Sequence, residues 1–174
     1  ITASDAFVAP YIIDALGDAA VVIPDEVLED SMALDVMLTP CNALIHINSR
    51  PVDTSVARND REVKIMMREA ARPVLDAVNR HGELHMIIVG TLRVHPPWSP
   101  GDDYYGPESS LSPRDTAAEG QLWIEENALE RAESGRPVSV IRASNVQGFP
   151  LEGPPGNGIL HRWANESQIG WINV

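Results

Sequence analysis

The fold of this chain is decided by residues 43–89, which contain two apolar runs, Ala-Leu-Ile-His-Ile at 43–47 and Leu-His-Met-Ile-Ile-Val at 84–89. Between them, residues 62–79 carry the longest helical pattern of the chain, with apolar side chains recurring along its length. A strand, a helix and a second strand in this order form a βαβ unit, whose two strands are parallel. Continuous apolar runs are typical of strands that are covered on both faces.

The same alternation continues outward in both directions. Helices are predicted at residues 7–16, 27–38, 114–133 and 159–166, and strands at 20–23, 137–142 and 170–174. Pro10 falls in the first turn of its helix, where proline is tolerated. Pro73 lies inside the 62–79 helix and predicts a kink or a junction between two helices. The pattern therefore predicts an α/β fold with a doubly wound parallel sheet.

The length and charge of the chain bound its functions. Its 174 residues suffice for one well-packed domain and are too few for two ordinary ones. It carries 25 acidic against 13 basic residues, a formal net charge of −12, and such a surface repels phosphate backbones. No apolar run approaches the ~20 residues of a membrane-spanning helix, and no secretory signal pattern is present. We therefore expect a cytoplasmic protein with neither a nucleic-acid nor a membrane partner.

Metal ligands are not predicted. Cys41 is the single cysteine, which excludes an internal disulfide and a cysteine-based zinc site. His81 and His85 are four residues apart, but no carboxylate completes a ligand set with them. The sequence therefore predicts no metal site.

Four segments carry a resemblance to a known family. Residues 1–9, Ile-Thr-Ala-Ser-Asp-Ala-Phe-Val-Ala, resemble an opening of the form Thr-Gly-x-x-Gly-Phe-hydrophobic-Gly, and residues 44–47 resemble a hydrophobic-Ile-His-Leu strand. Residues 87–91, Ile-Ile-Val-Gly-Thr, are similar to a strand that delivers a catalytic Ser or Thr. Residues 140–148, Val-Ile-Arg-Ala-Ser-Asn-Val-Gln-Gly, resemble Leu-Arg-Pro-x-Asn-Val-Tyr-Gly. In this order, the segments resemble the extended short-chain dehydrogenases/reductases, the NAD-dependent epimerase/dehydratase group.

The resemblance implies a fold and a function. It implies a Rossmann-like dinucleotide-binding domain at residues 1–148 and the start of a truncated substrate-binding region at 149–174. NAD or NADP is the implied cofactor, and a small molecule such as a nucleotide sugar is the implied substrate. Within the group, the Gly-Thr form of the catalytic strand is similar to the nucleotide-sugar 4-ketoreductases. A homodimer is an open alternative among the partners.

The cofactor residues that the resemblance implies depart from the family pattern. A dinucleotide-binding turn uses three glycines, for a tight turn, for close approach of the pyrophosphate and for helix–strand packing. Ala3, Ala6 and Ala9 stand at these positions, and Phe7 and Val8 follow the second of them. The added Cβ atoms crowd the phosphate, whereas the N–H groups of the helix still attract an anion. Weak binding and no binding both remain open.

Two further cofactor contacts follow from the same resemblance. Asp25 comes just after the strand at 20–23, where an acidic residue hydrogen-bonds the adenosine ribose. The alternative is a solvated turn carboxylate. Asn48 follows the His46 strand, where the family has small residues against the cofactor. His46 itself is expected to be a structural histidine.

The catalytic residues of the family are only partly matched. The family uses a Tyr with a Lys four residues later, and a Ser or Thr that Thr91 can supply. One alignment places Asp115 and Glu119 at the Tyr and Lys positions, and another places Leu111 and Asp115 there. An Asp–Glu pair at this spacing is either an acid/base couple or a solvated helix face.

The resemblance also implies substrate contacts for Arg142 and Asn145, in the segment similar to Arg-Pro-x-Asn. Two functions stay open. One is an NAD(P)-dependent nucleotide-sugar epimerase, dehydratase or ketoreductase with substituted motifs. The other is a non-catalytic homologue that serves as a binding or oligomer-partner protein.

Overall fold

The computed structural model describes residues 1–2, 8–47, 59–97, 106 and 108–143. Its sheet contains three parallel strands in the order β1 (Ala43–Ile47), β2 (His85–Thr91) and β3 (Val138–Ala143). Ala43 is opposite His85, and Met86 is opposite Val138. The predicted α/β class with a parallel sheet is confirmed. Strand β2 ends two residues later than predicted, and β3 ends one residue later.

The segment Ile1–Thr2 extends this sheet beyond β1. The Thr2 amide donates to the carbonyl of Ile45 over 3.1 Å. On the other side, the Ile1 nitrogen donates to the carbonyl of Val21 over 2.8 Å, and the Ile23 amide donates to the carbonyl of Ile1 over 2.9 Å. The predicted strand at 20–23 is therefore present only as a short extended segment with two hydrogen bonds. Across the sheet, the order becomes 21–23, 1–2, β1, β2, β3.

In the part of the chain that the structure describes, five α-helices accompany these strands: α1 (Ala9–Leu16), α2 (Asp25–Leu28), α3 (Ser31–Leu38), α4 (Asp60–Arg80) and α5 (Thr116–Glu133). The prediction of one helix at 27–38 was wrong. Asp30 interrupts it, because its carboxylate accepts hydrogen bonds from the amides of Met32 (3.0 Å) and Ala33 (3.1 Å) and so caps α3.

Helix α4 runs without interruption through Pro73, so the predicted junction of two helices is wrong. Proline cannot donate to the carbonyl of Glu69, but Glu69 is exposed and water can replace the missing donor. The Asn59 side chain accepts from the amide of Glu62 over 3.1 Å and caps the start of the helix. At its end, buried Arg131 of α5 donates to the carbonyl of Val78.

The main core lies between the sheet and helices α3, α4 and α5. Its largest buried side chains are Leu34, Leu38, Leu44, Val74, Val78, Met86, Ile88 and Ile124. On the opposite face, α1 covers a second cluster formed by Ile1, Ala9 and Ile47. Helices therefore lie on both faces of the sheet, as a doubly wound fold requires. The predicted helix at 159–166, the strand at 170–174 and the domain boundary at 148 lie outside the described residues.

Candidate functional site

The carboxyl ends of the parallel strands mark the candidate site. The chain passes from the 1–2 segment to its neighbour at 21–23 on one side, and then returns to β1 on the other side. The strand order thus reverses between Thr2 and β1. In open α/β sheets, ligands bind at the carboxyl ends of the strands beside such a reversal. Of the predicted site residues, Ala3, Ala6, Phe7, Asn48 and Asn145 lie outside the described residues.

Val8 and Asp25 are the two predicted cofactor residues that the structure describes. Val8 is half-buried and packs against the cluster of Ile1, Ala9 and Ile47. Asp25 is exposed and is the first residue of α2, directly after the extended segment at 21–23. The placement of Asp25 agrees with an acidic residue after the second strand, and its contact with a ribose stays a prediction.

A buried Thr–His pair lies on the two strands beside the reversal. Thr2 Oγ1 and His46 Nδ1 share a hydrogen bond of 2.8 Å, and both side chains are buried. Among the described residues, His46 Nε2 has no hydrogen-bond partner. Burial, with a smaller contribution from the chain's amino-terminal charge, lowers the pKa of His46 to about 4. The imidazole is therefore neutral at neutral pH, as a structural histidine in this position requires.

Thr91 lies at the carboxyl end of β2, where the resemblance predicts a catalytic hydroxyl. Its Oγ1 accepts a hydrogen bond from the amide of Arg93 over 3.2 Å. An accepting hydroxyl oxygen keeps its own O–H available for donation. Thr91 can therefore donate a hydrogen bond to a substrate oxygen at this edge of the sheet.

Asp115 and Glu119 do not face one another as an isolated pair of carboxylates. Asp115 precedes the first turn of α5, where it accepts from the amide of Ala118 over 3.0 Å and forms an ion pair with Arg93. Glu119 forms an ion pair with Lys64 of α4. Each carboxylate thus has its own cation, on a different element. These contacts suit helix capping and helix pairing.

The face of α5 that contacts the end of β2 carries Gln121 instead of Glu119. The two residues are two positions apart, about 200° around the helix. A Cβ on Gly90 would lie 2.6 Å from the Gln121 amide nitrogen and 2.4 Å from a Glu125 carboxylate oxygen. Gly90 therefore allows these two side chains to reach the strand just before Thr91. On this face the described part of α5 therefore carries Gln121 and Glu125, neither of which is a tyrosine or a lysine.

Arg142 is held inside the protein by a buried polar cluster. Its Nε donates to Glu125 over 2.8 Å, and its Nη1 lies 3.4 Å from His95 Nε2. Gln121 donates to the other oxygen of Glu125 over 3.0 Å. Glu125, Gln121 and His95 are all buried, and Arg142 is mostly so. Arg142 thus has a structural contact that the sequence did not reveal, and its contact with a substrate stays a prediction.

Gln121, Glu125 and His95 are the residues at this edge that sequence reasoning missed. Residues 114–133 contain Leu122, Trp123 and Leu129 among polar neighbours, so the apolar side chains do not mark one face. One signal in the sequence could have indicated them. Gln121, Glu125 and Ala128 are polar or small residues at helical spacing, and Gly90 leaves room for them on the facing strand.

Two other classes of site have no candidate among the described residues. No group of three or more His, Cys, Asp or Glu side chains there is arranged to hold a metal ion. In the same part of the chain, no helix combines the length and apolar character of a membrane span.

Solved structures share this fold. UDP-glucose 4-epimerase from Thermotoga maritima, in a structure with UDP-glucose, superposes with a TM-score of 0.70 at 14% identity, over 89% of this chain and 58% of that one. RMD from Pseudomonas aeruginosa, complexed with NADPH, superposes with a TM-score of 0.65 at 18% identity, over 85% of this chain and 54% of that one. UDP-glucuronic acid 4-epimerase from Bacillus cereus, in complex with UDP-glucuronic acid and NAD, superposes with a TM-score of 0.62 at 17% identity, over 81% of this chain and 54% of that one.

Sequence comparison adds nothing to these structural matches, because no protein-family model and no curated protein matches the chain. The chain spans a little over half the length of each of the three solved proteins. At these identities, the shared property is the fold. The parallel order of β1, β2 and β3 and the strand-order reversal beside β1 are therefore part of a doubly wound fold that this chain shares with these three solved proteins.

Proposed function

We propose that this chain binds NAD or NADP as the nucleotide-binding part of a protein of the nucleotide-sugar epimerase, dehydratase and ketoreductase type. The observation that carries the proposal is the reversal of strand order between Thr2 and β1 at the carboxyl edge of the sheet. Three fold relatives whose structures contain NADPH, NAD or a UDP-sugar support it. A bound nicotinamide supplies hydride transfer at a sugar carbon.

Three described residues around this edge support the proposal. Asp25 is positioned after the second strand to accept from a ribose hydroxyl. Val8 packs the start of α1 against the sheet. Thr91 offers a hydroxyl at the end of β2. We assign Asp25 and Val8 to the cofactor and Thr91 to the substrate.

The acid/base pair of the family has no equivalent on the described part of α5. Gln121 lies on the face toward Gly90, and its amide does not transfer a proton near neutral pH. The contacts of Asp115 with Arg93 and of Glu119 with Lys64 direct those carboxylates to other elements. We therefore propose cofactor binding without the family's proton-transfer step.

Calorimetric titration of the 174-residue chain with NADPH and NADH tests the binding function. We expect saturable binding with a dissociation constant on the order of 0.1–1 mM, because the sequence resemblance puts Ala3 and Ala6 at glycine positions of the family, where an added Cβ would crowd the pyrophosphate. The double substitution Ala3→Gly, Ala6→Gly should tighten binding at least about tenfold, a change of about 1.4 kcal/mol.

The matched control is Ala15→Gly, an exposed alanine of α1 away from the turn, which should leave the dissociation constant unchanged. Absence of saturable binding in both the wild type and the double-glycine variant would exclude the dinucleotide function.

A non-catalytic homologue is the second candidate, and the ion pairs of Asp115 and Glu119 favour it. The discriminating measurement is turnover of UDP-glucose with bound NAD in the wild type and in Glu119→Gln. An acid/base couple predicts a loss of about 10²–10⁴-fold on this substitution. We expect no difference between the two proteins, and a loss of that size would restore the Asp115–Glu119 couple as catalytic.

A further inference from the structure

The turn that follows Thr91 ends at a buried histidine, His95. Thr91 precedes the short helical turn Leu92–Val94, and its Oγ1 accepts from the amide of Arg93 over 3.2 Å. The His95 amide closes the same turn by donating to the carbonyl of Leu92 over 3.0 Å. Only 2% of His95 is exposed, whereas Thr91 is half-buried at the carboxyl edge of the sheet. A displacement of His95 therefore moves Thr91, because a single turn separates them.

The two ring nitrogens of His95 have partners of opposite kinds. Nδ1 lies 3.1 Å from the carbonyl oxygen of Ser110, which can only accept a hydrogen bond. Nε2 lies 3.4 Å from Nη1 of Arg142, and a guanidinium can only donate. The hydrogen bond of one ring nitrogen fixes the state of the other, so Nδ1 carries the proton and Nε2 accepts. These contacts select one tautomer of the His95 ring.

The contacts of His95 join three separate parts of the fold. Arg142 lies near the end of β3, and its Nε donates to the buried carboxylate of Glu125 in α5 over 2.8 Å. Ser110 belongs to the segment that leads into α5, and Arg114 of the same segment donates to the carbonyl of His95 over 3.0 Å. A buried ring with both nitrogens engaged has one orientation. Supporting contacts of this kind fix the direction of a functional group beside them.

We propose that His95 is a positioning residue for Thr91. Its ring, held as the Nδ1–H tautomer between Ser110 and Arg142, keeps the turn after β2 in one conformation. The Thr91 hydroxyl then has one direction at the carboxyl edge, where it donates to a hydroxyl or carbonyl oxygen of a sugar. The sugar contact rests on the proposed function, whereas the tautomer and the orientation of Thr91 are properties of the free chain.

Nuclear magnetic resonance of the isotope-labelled 174-residue chain tests the tautomer. A protonated ring nitrogen and a bare one resonate at clearly separated nitrogen frequencies, so the tautomer of each histidine can be observed directly in neutral solution. We expect a protonated Nδ1 and a bare Nε2 for His95. A proton on Nε2, or exchange of the proton between the two nitrogens, would overturn the proposal. This measurement uses the wild type, so it decides even where a variant fails to fold.

Two substitutions separate the two nitrogens of the ring. His95→Gln retains an acceptor for Arg142 near the position of Nε2, whereas His95→Asn retains only a donor near the position of Nδ1. Three-bond couplings should show one Thr91 rotamer in the wild type and in His95→Gln, and averaging between rotamers in His95→Asn. His85→Asn is the matched control, because His85 hydrogen-bonds Ser139 at the opposite end of β2. Unchanged Thr91 couplings in a folded His95→Asn variant would contradict the positioning role.

Calorimetric titration with UDP-glucose in the presence of NADPH extends the test to a ligand. Loss of a fixed donor should raise the dissociation constant of UDP-glucose about tenfold in His95→Asn and no more than about threefold in His95→Gln. The dissociation constant of NADPH should not change in either variant. Because His95 acts through Thr91, His95→Asn should add no further loss to Thr91→Val.

The outcomes of this titration separate the positioning role from the proposed function. Additive losses in the Thr91→Val, His95→Asn double variant would show that His95 acts independently of Thr91 and would overturn the proposal. A wild type that does not bind UDP-glucose would contradict the proposed sugar function instead, and the Thr91 couplings would then decide the role of His95.

Discussion

Replacement of Glu125 by alanine is expected to lower the free energy of unfolding by about 3–5 kcal/mol. The Glu125 side chain is fully buried and accepts from Arg142 over 2.8 Å and from Gln121 over 3.0 Å. Its removal leaves the guanidinium of Arg142, which is only 17% exposed, without a counter-charge and the Gln121 amide without its acceptor. A buried charge that loses its partner cannot regain solvation, so the cost exceeds that of an ordinary hydrogen bond. Urea denaturation at pH 7 measures the change.

Two variants separate the buried pair from other effects of substitution. Glu126→Ala removes the adjacent but exposed glutamate and should change stability by no more than about 0.5 kcal/mol. The double variant Glu125→Met, Arg142→Met removes both charges and should lose much less than Glu125→Ala, because apolar replacement of a buried pair is often close to neutral. A loss below about 1 kcal/mol in Glu125→Ala would show that the cluster is solvated.

Acidification from pH 7 to pH 5 is expected to destabilise the fold by about 2 kcal/mol through His46 alone. In the unfolded chain a histidine has a pKa near 6.5, whereas burial lowers the pKa of His46 to about 4 in the folded protein. The unfolded state therefore binds the proton more readily. The stability is fully present above pH 6.5 and is lost progressively as the pH falls through 4.

Urea denaturation at half-unit intervals between pH 7 and pH 5 resolves this loss. His46→Asn should have a smaller pH-dependent change in this window, whatever its absolute stability, because the titrating group is gone. His85→Asn, a partly exposed histidine of β2, is the control and should retain the loss. Asp35 does not interfere, since its hydrogen bond with Arg80, aided by His81, holds the pKa of its carboxyl below its usual range and below this window. Equal pH dependence in wild type and His46→Asn would contradict the assignment.

Most elements of the fold could be predicted from the sequence because their signals are local. The apolar runs at β1 and β2 and the helical pattern of α4 depend on residue type and spacing alone. The predicted helix bounds were wrong at two places where a single side chain determines whether a helix continues. Asp30 caps α3 and divides a helix that apolar spacing joins, and Pro73 is accommodated because the carbonyl it leaves free is on an exposed face.

The candidate site could be predicted only to the level of the strand ends. Thr91 lies at the carboxyl end of β2, as the resemblance implied. The buried face of α5 could not be predicted from the sequence, because Leu122 and Leu129 suggest a different face from the one that packs on β2. Only the packed helix shows Gln121 and Glu125 directed inward at Gly90 and Glu119 directed toward Lys64.

By itself, the sequence determined the α/β class, the parallel sheet and the lack of a Tyr-x-x-x-Lys motif, because apolar period and residue identity are properties of the chain. The tertiary structure decided which face of α5 meets the sheet, because the buried residues of this helix pack against elements that are distant in the sequence. The carboxylate of Glu125 has to meet Arg142, a contact between residues 17 positions apart. Gln121 lies on the same face and donates to Glu125, whereas Asp115 and Glu119 form ion pairs with Arg93 and Lys64.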